Sequence, residues 1–222
     1  MYRETIKHTE QYVKDYLEDV ESGHNWWHIY RVRNIAMHIF SIEERGDAFI
    51  IEMSSLLHDI GDYKIEPDND TDHLRVFLDG LRLEEAQKDK IAYIIGHISF
   101  RDSFGPEYER MPELDIVQDA DRLDAIGAIG IARAFNYGGS RGLEIYNPYQ
   151  GPREYKTPGE YKGSDSSTIN HFYEKLLKLK DSMNTNTAKE LAEDRHKYLE
   201  VFLEQFFMEW NTGISLTSGQ DL

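Results

Sequence analysis

Three short stretches place imidazoles or carboxylates where plain helix packing does not call for them. The first is Leu56-Leu57-His58-Asp59-Ile60-Gly61-Asp62, where an apolar helix runs into a His-Asp pair with another Asp behind it. Unpaired buried charge is costly, so a pair ending an apolar helix needs a reason. An adjacent imidazole and carboxylate can both reach one divalent ion; a capping carboxylate beside a surface histidine is the plainer alternative. The second stretch is Val117-Gln118-Asp119-Ala120-Asp121-Arg122-Leu123-Asp124-Ala125-Ile126-Gly127. Asp121 and Asp124, at i and i+3, share one face of an otherwise small and apolar helix. Two acids packed in a bundle require a cation, from arginine or from a metal, unless that face is solvated. The third is His24-Asn25-Trp26-Trp27-His28-Ile29-Tyr30-Arg31-Val32, in which His28 and Arg31 lie one turn apart between the apolar Ile29 and Val32.

Composition narrows what these groups can do. The chain has no cysteine among its 222 residues, so disulfides, thiolate nucleophiles and sulfur-bound metals are excluded and any metal must be held by nitrogen and oxygen. Its 41 acidic against 25 basic residues give a formal charge of −16, which argues against gripping a nucleic-acid backbone. One small phosphate ester, held by a metal and a few local cations, remains compatible with that charge. At 40% apolar residues the chain can bury a core. Met1-Tyr2-Arg3-Glu4 is charged and leads into no apolar h-region, and no apolar run reaches membrane-spanning length. The expectation is a soluble cytoplasmic protein with no membrane association.

The elements that would position these groups read as helices throughout, with no run of strand alternation. Ile6, Thr9, Val13, Leu17 and Val20 stripe a first helix ending at Gly23, and Ile29, Val32, Ala36 and Ile39 a second that stops before Gly46. Asp47 is expected to cap a third helix ending at His58-Asp59, and Asp72 a fourth through Leu81. A fifth is expected over Ala86–Ser99, and a sixth, rich in Ala and Gly, over Pro112–Phe135. Asn136–Ser166 then breaks the pattern with six glycines, three prolines and five tyrosines. A loop of that length is expected to be a lid, a binding loop or a surface excursion. Ile169 to Met183 marks a seventh helix and Leu191 to Trp210 an eighth, so residues 167–212 should form C-terminal helices packing on the core. The fold class is all-α, a single domain over residues 1–222.

Taken in order, the three stretches resemble the HD-domain metal-dependent phosphohydrolases, one bacterial and archaeal branch in particular. The likeness rests on His24-Asn25…His28-Ile29…Arg31-Val32, Leu56-Leu57-His58-Asp59-Ile60…Asp62…Lys64, Ile94…His97 and Asp119-Ala120-Asp121-Arg122-Leu123-Asp124-Ala125-Ile126-Gly127. Ile169-Asn170-His171-Phe172-Tyr173-Glu174-Lys175-Leu176-Leu177 extends it, so that it spans about residues 10–210. Asn25 departs from the aspartate of that branch. The resemblance implies a helical bundle with one divalent ion (Mn, Ni, Co, Fe, Zn or Mg) on His28, His58, Asp59 and Asp121. It implies a proton-accepting or water-orienting role for Asp62. Lys64, Arg31 and Arg122 are then candidate phosphate contacts, and Asp124 a further substrate contact. His97 is a candidate for the leaving phosphate or for a second metal shared with His73. His171 and Lys175, at i and i+4, could close over the site.

The reaction implied is hydrolysis of a phosphate ester or anhydride by metal-activated water, with a nucleotide as the leading substrate class. Two alternatives stand beside it: a nucleotide-binding regulator of low turnover, and a di-iron oxygenase on the same scaffold that would require His73 and His97 as ligands. The sequence leaves the oligomeric state open.

Overall fold

The computed structural model describes residues 2–18, 25–61, 72–98, 108–155 and 166–212. Among them are nine α-helices and no strand: α1 (Tyr2–Tyr16), α2 (Trp26–Glu43), α3 (Ala48–Leu57), α4 (His73–Asp79), α5 (Glu85–Gly96), α6 (Pro112–Asp124), α7 (Gly127–Ser140), α8 (Thr168–Glu174) and α9 (Asn186–Trp210). No helix among the described residues is long and apolar enough to cross a membrane.

The centre is α3, on which α1, α2, α5 and α6 pack. Its residues Phe49, Ile50, Ile51, Met53, Ser54, Ser55, Leu56 and Leu57 are all buried, the pattern of a helix enclosed on every side rather than striped. Asp47 starts it as expected, its carboxylate accepting from the Phe49 and Ile50 N–H groups. Asp72 likewise accepts from Arg75 N–H to start α4. Asn25, the departure from the family pattern, is the N-cap of α2: its Oδ1 accepts from the Trp27 and His28 N–H groups. Asn and Asp cap helices about equally well, so the exchange leaves the entry to α2 intact.

α9 is tied back to this centre at its first turn. Glu43, the last residue of α2, accepts from the N–H and the hydroxyl of Thr187, and these bonds hold its carboxyl below the usual carboxylate range. Asp119 of α6 accepts from the N–H groups of Asn184 and Thr185 and from both their side chains. Burial nonetheless pushes the Asp119 carboxyl above its ordinary value.

Three expectations need correction. The single helix over Pro112–Phe135 is two, broken at Ala125-Ile126. Gly127 begins α7 at φ +73°, a conformation that side-chain-bearing residues avoid. Gly130 packs so closely on the end of α6 that a Cβ there would lie 2.2 Å from the Ala125 carbonyl oxygen. The helical spacing of small residues persists across the break and so conceals it. Gly127→Ala should cost about 1–2 kcal/mol from the left-handed backbone alone, and its new Cβ would sit 3.1 Å from the Arg195 side chain. Urea unfolding checks this; an unchanged midpoint would contradict the assigned turn.

Second, residues 136–140 of the expected loop are helical, and the stretch after them is fastened down. Thr168 N–H donates to Glu144 O, Ile169 N–H to Ile145 O, and Asn170 Nδ2 to Gln150 O. The Arg153 N–H and the Tyr155 hydroxyl donate to the Glu174 carboxylate, while Tyr146 packs edge-on against Phe206, Phe207 and Trp210. Residues 156–165, where any lid would be completed, lie outside the described residues. Third, Ile169–Met183 is not one helix. α8 stops at Glu174, Lys175 leaves helical geometry (φ −137°, ψ −59°), and two 3₁₀ turns come next, Leu176–Lys178 and Lys180–Ser182. The end of the first helix at Gly23 and that of the fifth at Ser99 also fall outside the described residues; within them α5 ends at Gly96.

Candidate metal centre

α2 packs on both α3 and α6, and each of the three helices delivers its part of one cluster. His28 belongs to the buried stripe of α2 with Ile29, Val32, Ala36 and Ile39, and is 1% exposed. His58 caps the C-terminus of α3, and Asp59 sits in the turn that closes with Ile60 N–H on Leu57 O. Gly61 continues that turn at φ +76° and donates its N–H to the Tyr16 hydroxyl, tying α1 to the same point. Asp121 faces the cluster from α6.

The distances define a single focus. The Nε2 atoms of His28 and His58 are 3.1 Å apart. His28 Nε2 lies 3.5 Å from Asp59 Oδ2 and 3.4 Å from Asp121 Oδ1. His58 Nε2 is 3.6 Å from Asp59 Oδ1 and 3.8 Å from Asp121 Oδ1. The opposite ring nitrogens are committed elsewhere: His28 Nδ1 lies 2.7 Å from Asp124 Oδ2, and His58 Nδ1 2.9 Å from the Ser55 carbonyl oxygen. Those partners accept, so each Nδ1 carries a proton, and with both rings neutral the two Nε2 lone pairs would face each other. Two lone pairs at that distance repel unless a cation or a shared proton lies between them.

Electrostatics agree. Burial and the charge of Arg133 push the His28 pKa down, but hydrogen bonds to Asp121 and Asp124 and the charge of Asp59 outweigh them, leaving it raised. Burial pushes Asp121 up, yet its hydrogen bond to His28 and the charge of His58 hold it far below the usual carboxylate range. A site that draws positive charge onto an imidazole is one a cation would satisfy. Nitrogen and oxygen donors suit a first-row divalent ion or Mg²⁺, and two carboxylates balance its charge. His28, His58 and Asp59 form the one cluster with metal-ligand spacing among the described residues.

Asp124, expected to meet substrate, instead stands behind His28. Its side chain is 2% exposed, and besides His28 Nδ1 it accepts from Arg31 Nε at 2.6 Å, Arg31 Nη2 at 3.0 Å and Arg133 Nη1 at 3.0 Å. Burial pushes the carboxyl up, but bonds from His28 and Arg31 and the charge of Arg133 bring it to about 2. Arg31, expected as a phosphate contact, is here half of a bidentate grip on that acid. Arg133 was missed by sequence reasoning, because the α6–α7 break separates it from Asp124 and erases any helical spacing.

The remaining candidates are dispersed. Arg122 is buried and donates to the Ser182 carbonyl oxygen, joining α6 to the second 3₁₀ turn. His97 caps α5, its Nδ1 2.7 Å from Tyr93 O and its ring stacked on Tyr93. His73 begins α4 with its ring edge-on to Tyr16. His171 and Lys175 belong to α8 and its C-cap, and α8 packs on α7. Asp62 and Lys64 lie outside the described residues.

Comparison with known proteins accounts for this arrangement. The HD domain family matches residues 26–126, which include all four proposed ligands. YpgQ of Bacillus subtilis is 41% identical over 211 residues, covering 90% of this chain and 92% of YpgQ. A crystal structure from Lactobacillus plantarum superposes with a TM-score of 0.85 at 38% identity, covering 94% of this chain and 97% of that one. An HD-superfamily hydrolase of Bacillus thuringiensis superposes at 0.72 with 43% identity, covering 95% and 99%. YpgQ itself has been crystallised in complex with ADP; that structure superposes at 0.72 with 36% identity, covering 92% and 97%. With three helices converging on paired imidazoles and acids, and relatives matched over nearly their whole lengths, the chain belongs to the HD-domain superfamily of metal-dependent phosphohydrolases.

Proposed function

We propose that this protein hydrolyses a phosphate ester or anhydride of a nucleotide at a divalent ion held by His28, His58, Asp59 and Asp121. The observation that carries the reading is the approach of the two Nε2 atoms to 3.1 Å with both Nδ1 atoms already committed. A divalent ion bound there supplies Lewis-acid polarisation of a phosphoryl oxygen and a water of lowered pKa.

The protein's own groups do the rest. Asp124 and the Ser55 carbonyl fix the tautomer and orientation of the two rings. Asp121, with a third of its side chain exposed, marks the side from which substrate arrives. Asp62, one residue beyond the turn at Gly61, is the candidate to accept or orient the proton of the attacking water, and Lys64 the candidate cation for a phosphate oxygen. Trp27, 61% exposed, and Tyr30, 43% exposed, stand edge-to-face on either side of His28 in sequence and offer a base an aromatic surface. The ADP complex of YpgQ supports the nucleotide class.

A screen of nucleotides and other phosphorylated metabolites with Mn²⁺, Ni²⁺, Co²⁺ and Mg²⁺ in parallel, with product identification, tests the proposal. Metal-dependent release of phosphate or pyrophosphate from a nucleotide is expected. Nucleotide binding without turnover in every metal would favour the regulator instead. The di-iron alternative requires His73 and His97 as ligands, and neither joins a metal-spaced cluster among the described residues.

A further inference from the structure

On the far side of Asp124 from the metal centre lies a groove of about 380 Å³ between α2, the start of α7 and α9. Arg31 and Asn34 line it from α2 and Arg195 from α9, with Ile35, Ile126 and Ile129 as apolar wall. The His28 imidazole and the Asp124 carboxylate separate it from the focus of the two Nε2 atoms.

The groove is locally cationic in a chain of charge −16. Two guanidinium groups, Arg31 and Arg195, line it beside one carboxylate, Asp124, which Arg31, Arg133 and His28 already share. Arg195 forms no ion pair among the described residues; it donates to the Leu123 carbonyl oxygen. Its surroundings push its pKa below the ordinary arginine value through burial, with Asp124 the charge that opposes this. α7 opens into the same space, and its N-cap residue, Ile126, offers no side-chain acceptor to the first turn. A half-buried guanidinium without an acid, beside a second one whose acid is oversubscribed, is matched by an anion with several acceptor oxygens. The volume exceeds what a phosphate needs and falls in the range of small-molecule sites, so the apolar wall would hold the rest of the ligand.

We propose that this groove is a second, non-catalytic site for a small phosphorylated metabolite, its phosphate between Arg31 and Arg195 and its body against Ile35, Ile126 and Ile129. Because Arg31 also grips Asp124, and Asp124 orients His28, occupancy is coupled to the metal centre. The coupling is reciprocal: an occupant that changes metal affinity has its own affinity changed by the same factor.

Calorimetric titration of AMP and of inorganic phosphate into the Mn²⁺-loaded protein tests this, with Ile129→Asp and Arg195→Gln as variants. Ile129 is 46% exposed in the first turn of α7, where an acid is favourable for the helix, so Ile129→Asp folds and sets a negative charge in the groove. Each variant is expected to lose one equivalent of AMP, or to bind it at least tenfold more weakly, with basal turnover retained. The readout is the difference between wild type and variant. If the proposed hydrolysis is wrong and the metal centre takes no AMP, the wild type binds one equivalent and the variants none, and the groove stands. Equal stoichiometry and affinity of both probes in wild type and Ile129→Asp would overturn it.

Discussion

His58→Ala is expected to come through purification without its divalent metal, with turnover lower by 10³-fold or more, on the order of 4 kcal/mol of lost transition-state stabilisation. His58 is one of two imidazoles at the focus, and its side chain is 3% exposed, so no solvent ligand replaces it without rearrangement. The fold should survive. His58 ends α3 rather than filling it, and its removal relieves the 3.1 Å approach of two ring nitrogens. Thermal unfolding in chelator should therefore differ little between variant and wild type, while added Mn²⁺ should raise the midpoint of the wild type alone. Asp59→Ala should behave in the same way. Unchanged metal content by elemental analysis in both variants would show that the ion lies elsewhere.

Asp124→Ala carries the largest expected cost in stability, about 3–5 kcal/mol, because it strips a buried acid from Arg31, Arg133 and His28 together and leaves uncompensated charge. Metal affinity should fall about 10- to 100-fold as well, since the His28 ring loses the partner that fixes its tautomer. Asp124→Asn, which keeps the shape and one acceptor, should fall between Ala and wild type in both measures. Urea unfolding in chelator isolates the first effect and metal titration the second. An Asp124→Ala protein as stable as wild type, with unaltered metal affinity, would remove this acid from behind the centre.

These two residues also show where sequence reading succeeds and where it stops. The pair at 58–59 was legible because a charged dipeptide ending an apolar helix stands out locally, and the caps Asp47 and Asp72 because their chemistry lies within one turn. The assignment of His28 as a ligand, and of Asp121 rather than Asp119 or Asp124, rests on the family pattern. Asp124 reads from the sequence as a substrate contact. Its i+3 relation to Asp121 says that the two share a face, not that one meets the Nε2 side of His28 and the other the Nδ1 side. Arg133 and the partners of Asp119 were invisible for a common reason: their contacts cross breaks in secondary structure, and helical periodicity carries no information across a break. The same holds for α6 and α7, where Ala and Gly sustain the spacing of a single helix through a turn that only Gly127 makes comfortable.

The anchoring of Asp119 has a consequence for how the molecule comes into being. The segment matched by the HD family ends at residue 126, yet Asp119, two residues from the proposed ligand Asp121, takes its hydrogen bonds from Asn184 and Thr185, and Asp124 takes one from Arg133. In synthesis, all four proposed ligands precede Asn184 and Thr185, the groups that anchor Asp119 of α6. A nascent chain stopped at residue 126 holds every proposed donor atom for the ion, but Asp119 lacks the donors of residues 184 and 185, and Asp124 has Arg31 without Arg133. Stable metal binding at the proposed centre is therefore expected only once residues 184 and 185, at the start of α9, have joined the fold.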